Sequence, residues 1–202
     1  MILIQNLCKK FEDKVLFDNY NCTIQDGEFV VFCGESGCGK TTLLNMIGCL
    51  EKPDSGSIII DKTDIWKTKN KKGLFALKYG FLFQNFALLE GKTVSQNLEI
   101  IQKKLRTEIS VEEALTTVGL INKIDTKVYK LSGGEQQRLA LARLILKKCD
   151  IILADEPTGS LDEENADAVM DILHFLNQKG KTIILVTHSR KIIENERRVI
   201  KL

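Results

Sequence analysis

The chain has 202 residues, 44% of them hydrophobic and 28% charged, the balance of a globular protein with one sizeable core. Its 29 basic and 27 acidic residues leave a net charge of +2, without the basic stripe of a nucleic-acid binder, so no nucleic-acid partner is expected. No apolar run approaches the ~20 residues that a membrane helix needs, and the first residues are strand-like, without the basic and apolar regions of a leader. Any tie to a membrane is therefore expected to run through a partner.

Strand-like runs come first, at 2–7, 20–24 and 28–33, with no helix between them, which predicts an antiparallel β layer. A glycine-rich loop, 34–40, leads into a helix over 41–49. Asp54-Ser55-Gly56 marks a turn before a strand at 57–61, the lysines from Lys67 to Lys72 read as a solvated turn, and a further strand covers 79–84. Residues 86–130 are charged and helical, and Ser110 with Glu113 makes a capping box for a helix entering 111–118. A helix over 134–148 precedes a strand at 149–154 that is apolar apart from Asp150. An amphipathic helix over 162–177 sets Ala166, Val169, Leu173 and Leu176 on one face, and strands at 181–187 and 198–202 follow. Strands alternate with helices through most of this order. The expected class is α/β: a parallel sheet core, an antiparallel β layer and an inserted helical subdomain near 86–130 extending into the next helix, all within one domain of residues 1–202. The six cysteines form no C-x-x-C pair and no zinc spacing, and read as reduced thiols of a cytosolic protein.

Gly34-Glu35-Ser36-Gly37-Cys38-Gly39-Lys40-Thr41 matches G-x-x-x-x-G-K-[ST] between an apolar strand and a helix, the context a phosphate-binding loop requires. Glycines let backbone N–H groups turn inward onto phosphate oxygens, and the helix points its positive end at the anion. Lys40 is placed to reach the β and γ phosphates, and Thr41 to offer a hydroxyl to Mg²⁺. Asp155 and Glu156 end an apolar strand: the first can face the metal through water, and the second can act as general base on the attacking water. Leu131-Ser132-Gly133-Gly134-Glu135-Gln136-Gln137-Arg138 places a serine and two glycines at a helix start, a second anion-binding nose. One compact monomer cannot easily bring it to the same nucleotide, whereas a second copy of the chain could. Cys38, beside Lys40 and near a helix start, is expected to react with thiol reagents and to be protected by ATP; the competing reading turns its sulfur away into packing.

Taken in order, these motifs resemble those of ABC ATPases over essentially the whole chain. The resemblance adds Gln84 as a glutamine that touches Mg²⁺ and water and senses a membrane partner, Ser160-Leu161-Asp162 as the loop after the catalytic strand, and His188 as the γ-phosphate contact. It implies that Phe11 stacks on adenine, with Phe17 the weaker candidate. It also extends the nucleotide contacts from Gly34 through Thr42 and includes Ser132, Gly133, Gly134 and Glu135, and it makes Thr41, Gln84 and Asp155 the Mg²⁺ set. Phe83 to Leu89, Thr93 to Leu98 and Asp155 to Asp162 are similar to the lipoprotein-release and macrolide-export group, with the single-domain subunits of bacteriocin-export systems the most alike. The resemblance thus implies an ATP-hydrolysing subunit, acting as a head-to-tail dimer with itself or a paralogue. It would work at the cytoplasmic face of a membrane on a separate permease, in export or mechanical transmission. The alternative is a soluble or cell-division-type ABC ATPase that moves no solute. Two positions depart from the family pattern: Cys38 stands where serine is usual, and Ser189 where aspartate is common.

Overall fold

In chain order the first elements are strands β1 (Ile2–Phe11), β2 (Lys14–Ile24) and β3 (Phe29–Cys33), then helix α1 (Lys40–Ile47). Next come β4 (Ser55–Ile60), β5 (Thr63–Asp64), α2 (Lys71–Leu77) and β6 (Tyr79–Leu82). Helices α3 (Val94–Glu99), α4 (Val111–Thr117) and α5 (Gly133–Leu146) lead to β7 (Ile151–Asp155). The chain then forms α6 (Glu163–Gln178), β8 (Thr182–Val186), α7 (Arg190–Asn195) and β9 (Val199–Lys201). The computed structural model describes every residue except Asp13, Asn70 and Ser160 and the side chains of Lys72, Leu74 and Phe75. Ser160 of the predicted post-strand loop, and part of the Lys67 to Lys72 turn, lie outside the described residues.

Two sheets form. The antiparallel sheet runs β2-β1-β4-β5, and the other runs β6-β7-β8-β3-β9 with every neighbouring pair parallel. Alternation of side chains along the parallel strands builds two cores. Val30, Phe32, Ile151, Leu153, Ile184 and Val186 face α1 and the antiparallel sheet. Val31, Ile152, Ala154, Ile183 and Leu185 face α5, α6 and the helical stretch before α5. That stretch contributes Val94, Leu98, Ala114, Leu115, Val118 and Val128 to the second core. The Ser110 and Glu113 capping box is present at the start of α4, and Thr93 with Gln96 makes another on α3.

The hairpin β1–β2 is longer than the sequence reading, which stopped the first strand at residue 7 and began the second at residue 20. Lysines are mixed with Phe11 and the run Val15 to Phe17 in its outer half, and three register shifts interrupt the pairing and with it the period-two pattern. Gln84 falls just beyond β6 rather than within it. All six cysteines are free thiols. Among the described residues no helix is long and apolar enough to cross a membrane.

Candidate nucleotide site

The end of β3 and the start of α1 frame a cleft of about 710 Å³. Its walls are Phe11, Lys14 and Leu16 from the hairpin, Gly34 to Gly37 and Gly39 to Thr42 from the loop and helix, and Glu156 and His188 from the ends of the two neighbouring strands. The loop is built for close approach at two glycines. Gly39 has φ 104, and a Cβ there would meet the Phe17 ring at 3.0 Å. A Cβ on Gly34 would stand 2.7 Å from the Cys38 sulfur and 2.9 Å from the Leu202 carbonyl oxygen.

Lys40 folds back over the loop and donates to the Gly34 and Glu35 carbonyls, each at 2.9 Å. Lys14, a second cation in the cleft, donates to the Gly37 carbonyl at 2.8 Å. The Thr41 hydroxyl donates to Asp155 Oδ1 at 3.0 Å. Burial holds the Asp155 carboxyl above its ordinary range and the Glu156 charge adds to this, while the Thr41 hydrogen bond and the Lys40 charge oppose it.

Glu156 follows β7 with φ 46, in the left-handed region. Its Oε1 lies 2.8 Å from His188 Nδ1, and its Oε2 accepts from the Thr187 hydroxyl at 3.0 Å and from the His188 amide at 3.4 Å. The two strands are adjacent in the sheet, Asp155 pairing with Val186, so residues 32 apart in the chain leave it side by side. Gln84 does not line the cleft and is exposed. Leu82 pairs with Ala154, so Gln84 leaves β6 level with Glu156 leaving β7.

The second helix start faces elsewhere. Ser132 caps α5: its hydroxyl accepts from the Glu135 amide at 3.3 Å, and its own amide donates to Glu135 Oε2 at 2.9 Å. Lys123 donates to Glu135 and holds its carboxyl below the usual range. Ser132 and Gly133 are exposed, and none of Ser132, Gly133, Gly134 and Glu135 lines the cleft.

Cys38 is not on the cleft wall, and its half-buried side chain brings the sulfur close to Gly34. Phe11 lines the cleft and is 46% exposed, whereas Phe17 is buried beneath Gly39. Lys14, Leu16 and the contact from Thr187 to Glu156 were not singled out as site residues in the sequence. No motif marks the first two, which reach the cleft through the hairpin, and Thr187 was visible only as the residue before His188.

Among the described residues no cluster of three or more His, Cys, Asp or Glu could hold a metal. The Thr41 hydroxyl against the half-buried Asp155 carboxylate, with Glu156 next in the chain, sets oxygen donors at one edge of the phosphate loop. That suits a cation that arrives with phosphate oxygens and completes its shell from them.

A parallel sheet with this loop at the carboxyl end of β3, and paired acids at the end of β7, defines a P-loop nucleoside triphosphatase. The chain belongs to the ABC transporter family: that family's model matches residues 17–159. It is 40% identical over its whole length to the Macrolide export ATP-binding/permease protein MacB of Campylobacter jejuni, of which it spans 33%. It thus covers about a third of the length of that relative. It is 38% identical to the uncharacterized ABC transporter ATP-binding protein YvrO of Bacillus subtilis, with 99% of this chain and 92% of that one covered. Among solved structures, the ATP-binding cassette MJ0796 in a dimeric post-hydrolysis state bound to ADP and Pi superposes with a TM-score of 0.85. The identity there is 35%, with all of this chain and 94% of that one covered. The chain is an ABC-type ATPase cassette.

Proposed function

We propose that residues 1–202 act as one nucleotide-binding domain that hydrolyses ATP to power a separate membrane permease, in export or mechanical transmission. The domain would work as a head-to-tail pair with a second copy or a paralogue, peripheral to the cytoplasmic face of the membrane. The observation that carries this reading is the separation of two anion-binding helix starts. One opens into the cleft with Lys40, Thr41, Glu156 and His188, and the other, at Ser132, opens on a different surface. A pair of chains can bring each Ser132 helix to the other chain's cleft, so that neither site is complete alone.

Within the cleft, Phe11 stacks on the adenine, and the loop from Gly34 to Thr42 wraps the phosphates with its amides. Lys40 leaves its two carbonyls for the β and γ oxygens. Mg²⁺, when bound, neutralises charge developing on the phosphates, and Thr41, Asp155 and Gln84 would hold it. Glu156 takes a proton from the attacking water, and His188 orients the Glu156 carboxylate and contacts the γ-phosphate. Ser132, Gly133, Gly134 and Glu135 of the partner close on the same phosphate.

A groove of about 620 Å³ beside Gln84 supports a permease contact. Phe81, Phe83, Ile100, Ile101 and Leu105 give it apolar walls, and Arg143 and Lys147 line it too. Arg143 donates to the Phe86 and Ala87 carbonyls, which links the loop after Gln84 to the helix that begins at Ser132. The stretch 86–130 and α5 would thus move as one helical unit when a permease segment enters the groove.

The test is a tagged chain carrying Glu156→Gln, purified in mild detergent from membranes with ATP present. A multispan membrane protein is expected to co-purify. Recovery of the chain solely in a soluble complex would overturn the transport reading.

A further inference from the structure

Lys9 has a side chain only 8% exposed, close to the exposed tip of the β1–β2 hairpin. Its ammonium lies 2.5 Å from Glu51 Oε1, 2.8 Å from the Lys52 carbonyl oxygen and 3.6 Å from Asp54 Oδ1. The same ammonium stands 4.7 Å from the centroid of the Phe11 ring. Phe11 lines the cleft and Lys9 does not. The cation stands over one face of the ring, which leaves the opposite face clear of it.

We propose that Lys9 is a positioning residue for the nucleotide base: its ammonium pins and polarises the Phe11 ring, whose open face is thereby set to stack on a purine. This rests on the reading that Phe11 faces the base. A phenyl ring near a hairpin tip would otherwise sample several rotamers, and ordering it would weaken binding. A cation over one face of a ring is held by the ring's negative quadrupole. It also draws π density towards itself, so the opposite face meets an electron-rich purine more favourably.

The anchors of Lys9 extend the argument. Glu51, Lys52 and Asp54 follow the carboxyl end of α1, whose amino end carries Lys40 and Thr41. Asp54 also accepts from the Lys10 amide at 2.8 Å, and its own amide donates to the Cys8 carbonyl at 3.0 Å. The base-facing ring and the phosphate loop are thus tied to opposite ends of one helix, which fixes the distance between the base and phosphate subsites. An ion pair that merely staples the hairpin would affect both subsites alike. A positioning residue affects ligands that carry a base and spares those that do not.

The experiment measures equilibrium binding of ATP and of tripolyphosphate to the full chain. Lys9→Gln retains a donor towards Glu51 and the Lys52 carbonyl, and Lys9→Met is the second disrupting variant should the first not fold. Either is expected to raise the ATP Kd about three- to tenfold and leave the tripolyphosphate Kd unchanged, with Lys9→Arg recovering most of the loss. Unchanged ATP binding overturns the proposal, and so does an equal loss of both ligands. Phe11→Ala distinguishes the role of the ring from that of Lys9. If it weakens ATP alone, the ring faces the base and the Lys9 result stands by itself; if it leaves ATP binding untouched, the base reading falls and the role of Lys9 with it. In the Phe11→Ala background Lys9→Gln should add nothing, and any further loss of ATP binding would count against the ring as the route.

Discussion

Glu156 has a backbone conformation that a side-chain-bearing residue adopts at a cost of about 1–3 kcal/mol, with φ 46. Its carboxylate is held by Thr187 and by His188, both beyond the end of β8. Strain held in place by neighbours is the mark of a group that must point in one direction. Glu156→Gln keeps the size and the hydrogen bonds and removes the base, so phosphate release should fall by about 10²- to 10⁴-fold while ATP binding persists. Turnover near the parent rate in a steady-state assay would remove Glu156 from that role. Asp155 gives a prediction about pH. Burial raises its carboxyl above the ordinary value of 3.8, so the folded chain keeps the proton to higher pH than the unfolded chain. Stability from this group is therefore present at low pH and lost as pH rises from that ordinary value through the raised one; above both, the ionised carboxylate is a net cost. Asp155→Asn should raise the nucleotide-free melting temperature at pH 7 and leave it less changed at acidic pH. It should also shrink the extra stabilisation that Mg²⁺ gives with ATP, both read by thermal unfolding.

The segment after β6 is held by polar contacts from helices on both sides. Buried Asn97 on α3 bonds Leu89 through both its oxygen and its nitrogen, at 2.8 and 3.0 Å, and Arg143 on α5 caps the Phe86 and Ala87 carbonyls. Phe86 and Ala87 have φ 58 and 47, a bend that needs such outside support. Arg143→Met keeps the apolar stem and removes the guanidinium, so chemical denaturation should show a loss of about 1–3 kcal/mol. An unchanged midpoint would show that the bend stands without the arginine. The strands β3, β7 and β8 were legible in the sequence because they are buried on both faces and so read as unbroken apolar runs. The phosphate loop was legible because its glycines and lysine sit at fixed spacing between a strand and a helix. The outer hairpin was not, because Lys9, Lys10 and Lys14 look like solvent-facing residues and the register shifts erase the alternation. Short α2 and α7 have too few turns to display a helical period. The Glu156 and His188 contact depends on two strands being neighbours in the sheet, which no local pattern states; only the family resemblance brought His188 forward.

At the scale of the molecule the central question is whether catalysis needs two chains. Lys40 and Glu156 share one cleft, while Ser132 caps a helix that opens elsewhere. If each functional site joins one chain's cleft to the other chain's Ser132, two lesions on different halves must complement each other. Ser132→Arg places a bulky cation at the helix start and should abolish hydrolysis while ATP still binds through Lys40. Losing the cap itself costs about 1 kcal/mol, too little to unfold the chain. Lys40→Ala removes the phosphate contact and leaves Ser132 intact. Each variant alone forms pairs with both sites defective. A mixed pair collects both lesions in one site and leaves the other whole. With random exchange in an equal mixture, half the pairs are mixed and each has one intact site of two, so activity should recover to about a quarter of the parent if sites turn over independently. The assay is phosphate release across a titration of one variant into the other, with a maximum expected near equal amounts. A flat titration in which both variants stay inactive, although mixed pairs form, would mean that one intact site cannot work without the other. Full activity of the Ser132→Arg chain by itself would mean that the cleft needs nothing from a partner, and the trans arrangement would be wrong.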